Sequence, residues 1–234
     1  MYLSWQEKII TDFSDTNINA LYNDGFLFTR IGHGVMKQTR SLRINLAQFV
    51  PSSENRRVLK KNETLKLSVS PLPYREYHWK IGKLAKDFYE TKFGPKTFGA
   101  NKVKELLTDP QKSNFNLLLV YKLKNDVVGY CIVRTTDELI HYSYPFYKLP
   151  AYAKAMAGKQ ATSYQLPANI GLGMMTQAVV WAKEQGKKYI YLGSASRPTD
   201  TYKLQFSGLE WWDGQKWEEN ISNLKHILHE TASI

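Results

Sequence analysis

The side chains best suited to chemistry in this chain are arginine, lysine and tyrosine, and they cluster. Between Arg30 and Lys66 stand nine basic residues against two acids, Glu54 and Glu63, a surplus of +7 in 37 residues. Arg40 and Arg43 flank an alternating stretch, where they are expected to share one face of a strand. Arg56, Arg57, Lys60 and Lys61 follow at helical spacing. A guanidinium is a fork of N–H donors that fits a carboxylate or phosphate, and a concentrated positive field draws polyanions, RNA first among them. Tyr202-Lys203 comes just after an apolar strand-like run, the place where site groups of α/β sheets gather. Tyr142, Tyr144 and Phe146 recur with period two, as aromatics do when they stack on bases or pack a core. Gly171 and Gly173 open an apolar helical stretch, where backbone N–H groups can cradle an anion.

Other chemistries are poorly supplied. The single cysteine, Cys131, sits in an apolar run; it makes no internal disulfide and no cysteine cage for a metal. His226 and His229 stand three apart without Glu or Cys partners, so no metal is expected. His33 and His141 read as structural before they read as proton carriers. No Ser/His/Asp set and no paired carboxylates stand out.

The whole chain has 234 residues, a net charge of +11, 43% hydrophobic and 23% charged residues. That balance excludes a disordered or fibrous chain. With no apolar run of about 18 residues and a polar N-terminus, neither membrane span nor secretory signal is expected. A cytoplasmic protein is anticipated.

The elements that must position these groups follow from periodicity. Residues 42–46 alternate as a half-buried strand, and Pro51-Ser52-Ser53 supplies a cap for a helix over 55–61. The prolines in 69–73 predict a stiff linker between two lobes. Spacings of three and four predict helices over 74–92 and 102–107. Strands are predicted over 115–123, 127–134 and 138–146, the first two joined by Lys124-Asn125-Asp126. An irregular or helical insert at 148–167 leads to a helix over 171–185, a short strand over 188–192 and a loop over 193–201. The aromatic stretch 206–217, with Trp211, Trp212 and Trp217 closing a core edge, precedes a last helix over 218–230. Hairpin, strand, helix, strand implies that the later strands pair in parallel across a crossover helix. The expected class is α/β (α+β): a mixed sheet flanked by helices, in the order of the acetyltransferase-like (GNAT) fold. Residues 1–70 are expected to form a smaller basic lobe and 71–234 the GNAT-like acyltransferase domain.

Two distant blocks sharpen this. The first runs from Arg40-Ser41-Leu42-Arg43-Ile44 through Phe49-Val50-Pro51-Ser52 to Arg56-Arg57-Val58-Leu59-Lys60-Lys61-Asn62. The second is Tyr191-Leu192-Gly193 followed by Tyr202-Lys203-Leu204-Gln205-Phe206. Together they resemble the arginyl- and leucyl-tRNA–protein transferases, over about residues 26–62 and 127–210. The cysteine cluster typical of that family before the Arg-Ile segment is replaced here by Gly34-Val35-Met36-Lys37-Gln38-Thr39. Any metal or iron–sulfur role of that cluster does not carry over.

The resemblance implies transfer of an aminoacyl group from an aminoacyl-tRNA to the N-terminal amine of a peptide or protein, including acceptors with an acidic N-terminus. No cofactor is implied beyond the charged tRNA. Tyr202 would bond the reacting carbonyl or leaving hydroxyl, and Lys203 a phosphate. Arg40, Arg43, Arg56, Arg57, Lys60 and Lys61 would meet tRNA phosphates or acceptor carboxylates. Tyr142 and Tyr144 would stack on the terminal adenosine. Two alternatives remain open at this point. One is a coenzyme-A-dependent N-acyltransferase, favoured by Gly171 and Gly173 and disfavoured by Ala168 in place of a basic or amide residue. The other is a non-catalytic tRNA-binding module.

Overall fold

Alternating apolar residues from both halves of the chain build one sheet. In the computed structural model, which describes residues 3–149, 166–167 and 169–230, the N-terminal elements are β1 (Gln6–Ile9), α1 (Asp15–Asn23), β2 (Phe26–Phe28) and β3 (Val35–Gln38). Then come β4 (Ser41–Asn45), α2 (Ser53–Lys61), β5 (Leu65–Pro71), α3 (Trp79–Phe93) and α4 (Ala100–Thr108). The second half holds β6 (Leu117–Leu123), β7 (Asp126–Thr135), β8 (Leu139–Tyr147), α5 (Ile170–Glu184) and β9 (Tyr189–Ser194). A 3-10 helix (Pro198–Gln205), β10 (Leu209–Trp212), β11 (Trp217–Glu218) and α6 (Ile221–Glu230) follow. Most of the insert expected at 148–167, and Ala168, lie outside the described residues.

Strands β1, β3 and β2 form a small antiparallel sheet. The other eight form a mixed sheet in the order β11-β10-β4-β9-β8-β7-β6-β5. Among the described residues only β8 and β9 pair in parallel, joined by the crossover that contains α5. This is the expected GNAT-like order: an antiparallel meander β6-β7-β8, a helix, then a parallel strand. One face carries a core of Leu42, Ile44, Phe49, Met174, Val179, Leu204 and Phe206, under α5, α6 and the 3-10 helix. The other carries Ile18, Tyr22, Phe26, Phe88, Val103 and Phe115, under α1, α3 and α4.

Three expectations are corrected. The linker over 69–73 is largely strand: β5 pairs with β6 from Leu65↔Leu123 to Pro71↔Leu117. It is the sheet's edge, where a proline lacking N–H is tolerated. A boundary at residue 70 therefore falls inside β5, and β4 lies deep in the sheet between β10 and β9. What stands apart is the small sheet with α1, because its strands pair only with each other. The helix expected from 74 begins at Trp79; Tyr74 donates its backbone N–H to Leu107 O instead (2.7 Å), and His78 is still extended.

Candidate active site

The parallel pair β8/β9 is short. It joins Leu139↔Tyr189, Ile140↔Ile190 and His141↔Tyr191 and then ends. Beyond it β8 follows β7 to Gly129↔Tyr147, whereas β9 follows β4 to Ser41↔Ser194. Two strands that leave with different neighbours open a wedge between them, walled by residues 142–147 and 192–194. The chain leaving β9 turns at once into the 3-10 helix that carries Tyr202 and Lys203.

That turn is locally determined. Pro198 starts the helix with its fixed φ, and Asp200 two residues later accepts the backbone N–H groups of Ser196 and Arg197 (3.0 Å each). Asp200 also pairs with Lys203 at 3.2 Å. Lys203 Nζ donates to Ser194 O at 2.8 Å, so a nearly buried ammonium is fixed at the end of β9. Two of its three donors are engaged. Tyr202 is 48% exposed, and its phenol is near enough to Tyr142 and Tyr147 of β8 to act on them electrostatically.

The early block meets this place directly. Ala195 N donates to Arg40 O (2.9 Å), and Arg40 Nη1 lies 3.5 Å from Ala195 O. Among the described residues, Arg40 Nε and Ser196 Oγ are buried without a hydrogen-bond partner. Burial pulls the Arg40 pKa down. Buried polar atoms are rarely left unpaired, so these two mark the end of β9 as a polar site. Further along, Ser207 Oγ bridges Val50 N and O (2.8 and 2.7 Å), and the Phe49 and Phe206 rings pack tilted to each other with centroids 6.2 Å apart. The blocks at 40–62 and 189–210 are thus folded against each other.

Arg56, Arg57, Lys60 and Lys61 sit on the exposed side of α2, whose Ser52/Asn55 capping box starts the helix. Arg56 Nη1 donates to Pro51 O (2.6 Å), and Arg57 holds Glu54 bidentately at 2.6 and 2.5 Å. Lys60 and Lys61 form no ion pair among the described residues. The inner side of α2 rests on α5: Gln177 Nε2 donates to Leu65 O (2.8 Å) and Asn62 O (3.3 Å). This contact explains Gly173, and the approach of β8 explains Gly171. A Cβ on Gly173 would stand 2.4 Å from Asn62 Cγ, and one on Gly171 2.7 Å from the Tyr147 hydroxyl. Close packing at the first turn of α5 demands both. The 3-10 helix and α5 share one core, so α2, resting on α5, lies on the same face of the sheet as Tyr202.

Three expected binding residues are placed differently. Arg43 does not share a face with Arg40, because an odd step of three positions along a strand of period two turns the second residue to the other side. Its guanidinium is buried on Glu210 (Nε to Oε2, 2.5 Å) and sandwiched by Tyr189 (4.0 Å) and Trp217 (3.9 Å). It is structural. Tyr142 is 2% exposed and offers no ring face for stacking. Tyr144 packs edge-on against Phe98 (5.3 Å) and Phe115 (5.4 Å) on the opposite side of the sheet. Period two fails here because a bulge sets Ile132 opposite Tyr144 but Val133 opposite Tyr142.

His141 closes the paired part of β8/β9. It is buried, and its Nδ1 meets the Tyr22 hydroxyl at 2.9 Å. Burial, with the Lys203 charge adding, pushes its pKa down to about 3. It is neutral near pH 7 and a poor proton acceptor, which makes it a structural group. The folded state refuses a proton that the unfolded chain accepts below about pH 6.5. Stability should therefore fall as pH drops from there toward 3, by up to about 1.4 kcal/mol per pH unit. In His141→Asn this part of the acid loss disappears. Denaturant unfolding at pH 7 and pH 4.5 checks it; equal acid losses in both proteins would refute the assignment.

Sequence reasoning missed Asp200, Ser196 and Glu210. Asp200 was legible, as an acid in the first turn after Arg197-Pro198. The other two carry no local signal. Cys131 is buried and burial raises its thiol pKa, as expected of a packing residue. Among the described residues no three His, Cys, Asp or Glu side chains group so as to hold a metal ion, and no helix is long and apolar enough to cross a membrane.

No family model matches the sequence. The chain is 22% identical to the aspartate/glutamate leucyltransferase of Xylella fastidiosa (strain 9a5c) over 228 residues, covering 91% of this chain and 84% of that protein. The protein of the same name from strain M12 is 23% identical, with the same coverage. Among solved structures, L-PGS from Bacillus licheniformis superimposes with a TM-score of 0.48 at 14% identity, over 89% of this chain and 69% of that one. A GCN5-related glucosamine N-acetyltransferase region of a fungal multi-domain GH3 β-N-acetylglucosaminidase gives 0.44 at 11% identity, over 87% and 22%.

Proposed function

The chain is a divergent relative of the aspartate/glutamate leucyltransferases, and from that premise we propose that it moves an aminoacyl group from a charged tRNA to the N-terminal amine of a peptide or protein. The observation that carries this reading is similarity running nearly end to end through both proteins. The wedge beside Tyr202 and Lys203, and the basic face of α2, are consistent with it.

The reaction is an ester aminolysis. The acceptor nitrogen attacks the ester carbonyl, the bond to the ribose oxygen breaks, and that oxygen takes up the proton the nitrogen gives up. An α-amine has a pKa of about 7.7–8.0, so a usable fraction is neutral near pH 7 without a strong base. What the protein must supply is alignment and donors for the developing oxyanion. Tyr202 donates to the reacting carbonyl or the departing oxygen. Lys203 holds the phosphate of the terminal nucleotide. The unpaired Arg40 Nε and Ser196 Oγ are further donors at the same end of β9. Arg56, Arg57, Lys60 and Lys61 hold the tRNA backbone, and the charged tRNA is the only donor the reading calls for.

The test is direct. Purified protein is mixed with a full set of charged tRNAs and peptides bearing acidic N-termini, and the products are weighed. A mass gain of one aminoacyl residue is expected; no gain with any donor would sink the reading. In the same assay, Lys60→Ala/Lys61→Ala should weaken tRNA binding and lower the slope of log affinity against log salt by about one per lysine. Both lysines are exposed, so stability should not change.

A further inference from the structure

Lys66 and Lys122 stand directly opposite one another in the β5/β6 ladder. Both are exposed, and neither forms an ion pair among the described residues. Like charges facing each other across a strand pair are destabilising. A lysine on an edge strand is a common guard against association between sheets, which accounts for Lys66 on β5. It does not account for Lys122, because β6 is paired on both sides. Two cations held together at a cost are matched by an anion that spans them.

Their surroundings are cationic too. Exposed Lys124 turns the chain from β6 into β7. Lys60 and Lys61 end α2, from which a tight turn (Leu65 N to Asn62 O, 2.9 Å) enters β5. These five lysines stand against two acids, Glu63 and Asp126, which form no ion pair with them among the described residues. Leu65, Leu67, Tyr121 and Leu123 face the core under α5, so alternation sends Lys66 and Lys122 to the other face of the sheet, while α2 lies on the first. The cations therefore straddle the end of the sheet. That end is also the wedge's. Tyr147, within electrostatic reach of Tyr202, lies in register with Gly129, Gly129 with Tyr121, and Tyr121 with Leu67. The lysine pair is one residue further out. With strands about 4.8 Å apart, Lys122 and Lys66 stand roughly 10–15 Å along the sheet from β8.

We propose that Lys66, Lys122 and Lys124 continue the basic face of α2 into a track for the sugar–phosphate backbone of a tRNA acceptor stem whose 3′ end lies in the wedge. The proposal rests on the aminoacyl-transfer reading for the identity of the polyanion. A single phosphate suits one pair of lysines, whereas five cations strung round a sheet end suit a chain of phosphates. A 3′ end held beside Tyr202 and Lys203 has its next few nucleotides over β6 and β5.

The measurement is binding of uncharged tRNA, which proceeds without turnover. Lys66→Gln/Lys122→Gln keeps both stems and removes both charges. The slope of log affinity against log salt should fall by about two, and affinity at about 0.15 M salt by about tenfold or more. Lys66→Gln alone should lower the slope by about one. Lys216→Gln/Lys225→Gln, which removes two charges beside β11 and β10 at the far end of the sheet, should leave it unchanged. Location is read separately. Cys131 is buried, so a cleavage reagent attached to Lys124→Cys is confined to that position, and it should cut the acceptor stem within a few nucleotides of the 3′ end. No tRNA binding by the wild type, an unchanged slope in the double variant, or cuts scattered over the tRNA would overturn the proposal. So would binding to vesicles of anionic lipid that needs these lysines when tRNA binding does not. A protein that binds tRNA through the track yet transfers nothing keeps the track and loses the transferase reading; one that transfers with an unchanged slope loses the track alone.

Discussion

Tyr202→Phe should lower kcat for aminoacyl transfer by roughly 10²–10³-fold and leave KM for the charged tRNA nearly unchanged. The substitution deletes one hydroxyl and keeps the ring. Tyr202 is half-exposed at the edge of the wedge, so little packing is disturbed. A donor aimed at charge that develops only during reaction acts on the rate and not on ground-state binding. Lys203→Met is the contrasting variant. A phosphate contact is made before and during reaction alike, so its loss should appear mainly in KM. Steady-state kinetics on both variants separates the roles. A Tyr202→Phe enzyme that keeps most of its kcat would remove Tyr202 from the chemistry.

Glu210→Ala should destabilise the protein by roughly 3–5 kcal/mol, because it strands the buried Arg43 charge. Both side chains of the pair are 8% exposed. Arg43 also donates to Asn23 Oδ1 at 3.0 Å and lies 3.4 Å from the Tyr191 hydroxyl, so several elements lose a shared anchor. For a chain of this size the melting temperature should fall by roughly 2–4 °C per kcal/mol. Replacing both partners together, Arg43→Met with Glu210→Leu, should recover much of the loss, since no charge is then left buried. Calorimetry on the single and double variants decides. A single variant within about 0.5 kcal/mol of wild type, the range of ordinary surface changes, would show that the pair is not an anchor.

This pair also shows where sequence reading stops. Arg43 looked like its neighbours in a basic run, because charge and spacing are all that a sequence displays. Glu210 is 167 residues away, and only strand pairing of β10 with β4 brings it alongside. Tyr142 and Tyr144 mislead for a related reason. Alternation holds only while the ladder is regular, and a single bulge in the β7/β8 pairing sends the two rings to opposite faces.

Much else was legible. The hairpin of β6 and β7, the third strand, the crossover helix and the last parallel strand follow from hydrophobic period and turn residues, which are local properties. The α2 cap follows from Ser52, whereas the loop expected over 193–201 gives way to a 3-10 helix from Pro198 to Gln205. Folding alone decided which of these elements touch. Its placing of β4 between β9 and β10 erased the expected boundary at residue 70 and set Arg40 beside Ser196. Partners across a sheet are chosen by the burial of whole faces, a property of the assembled chain that no short stretch of residues contains.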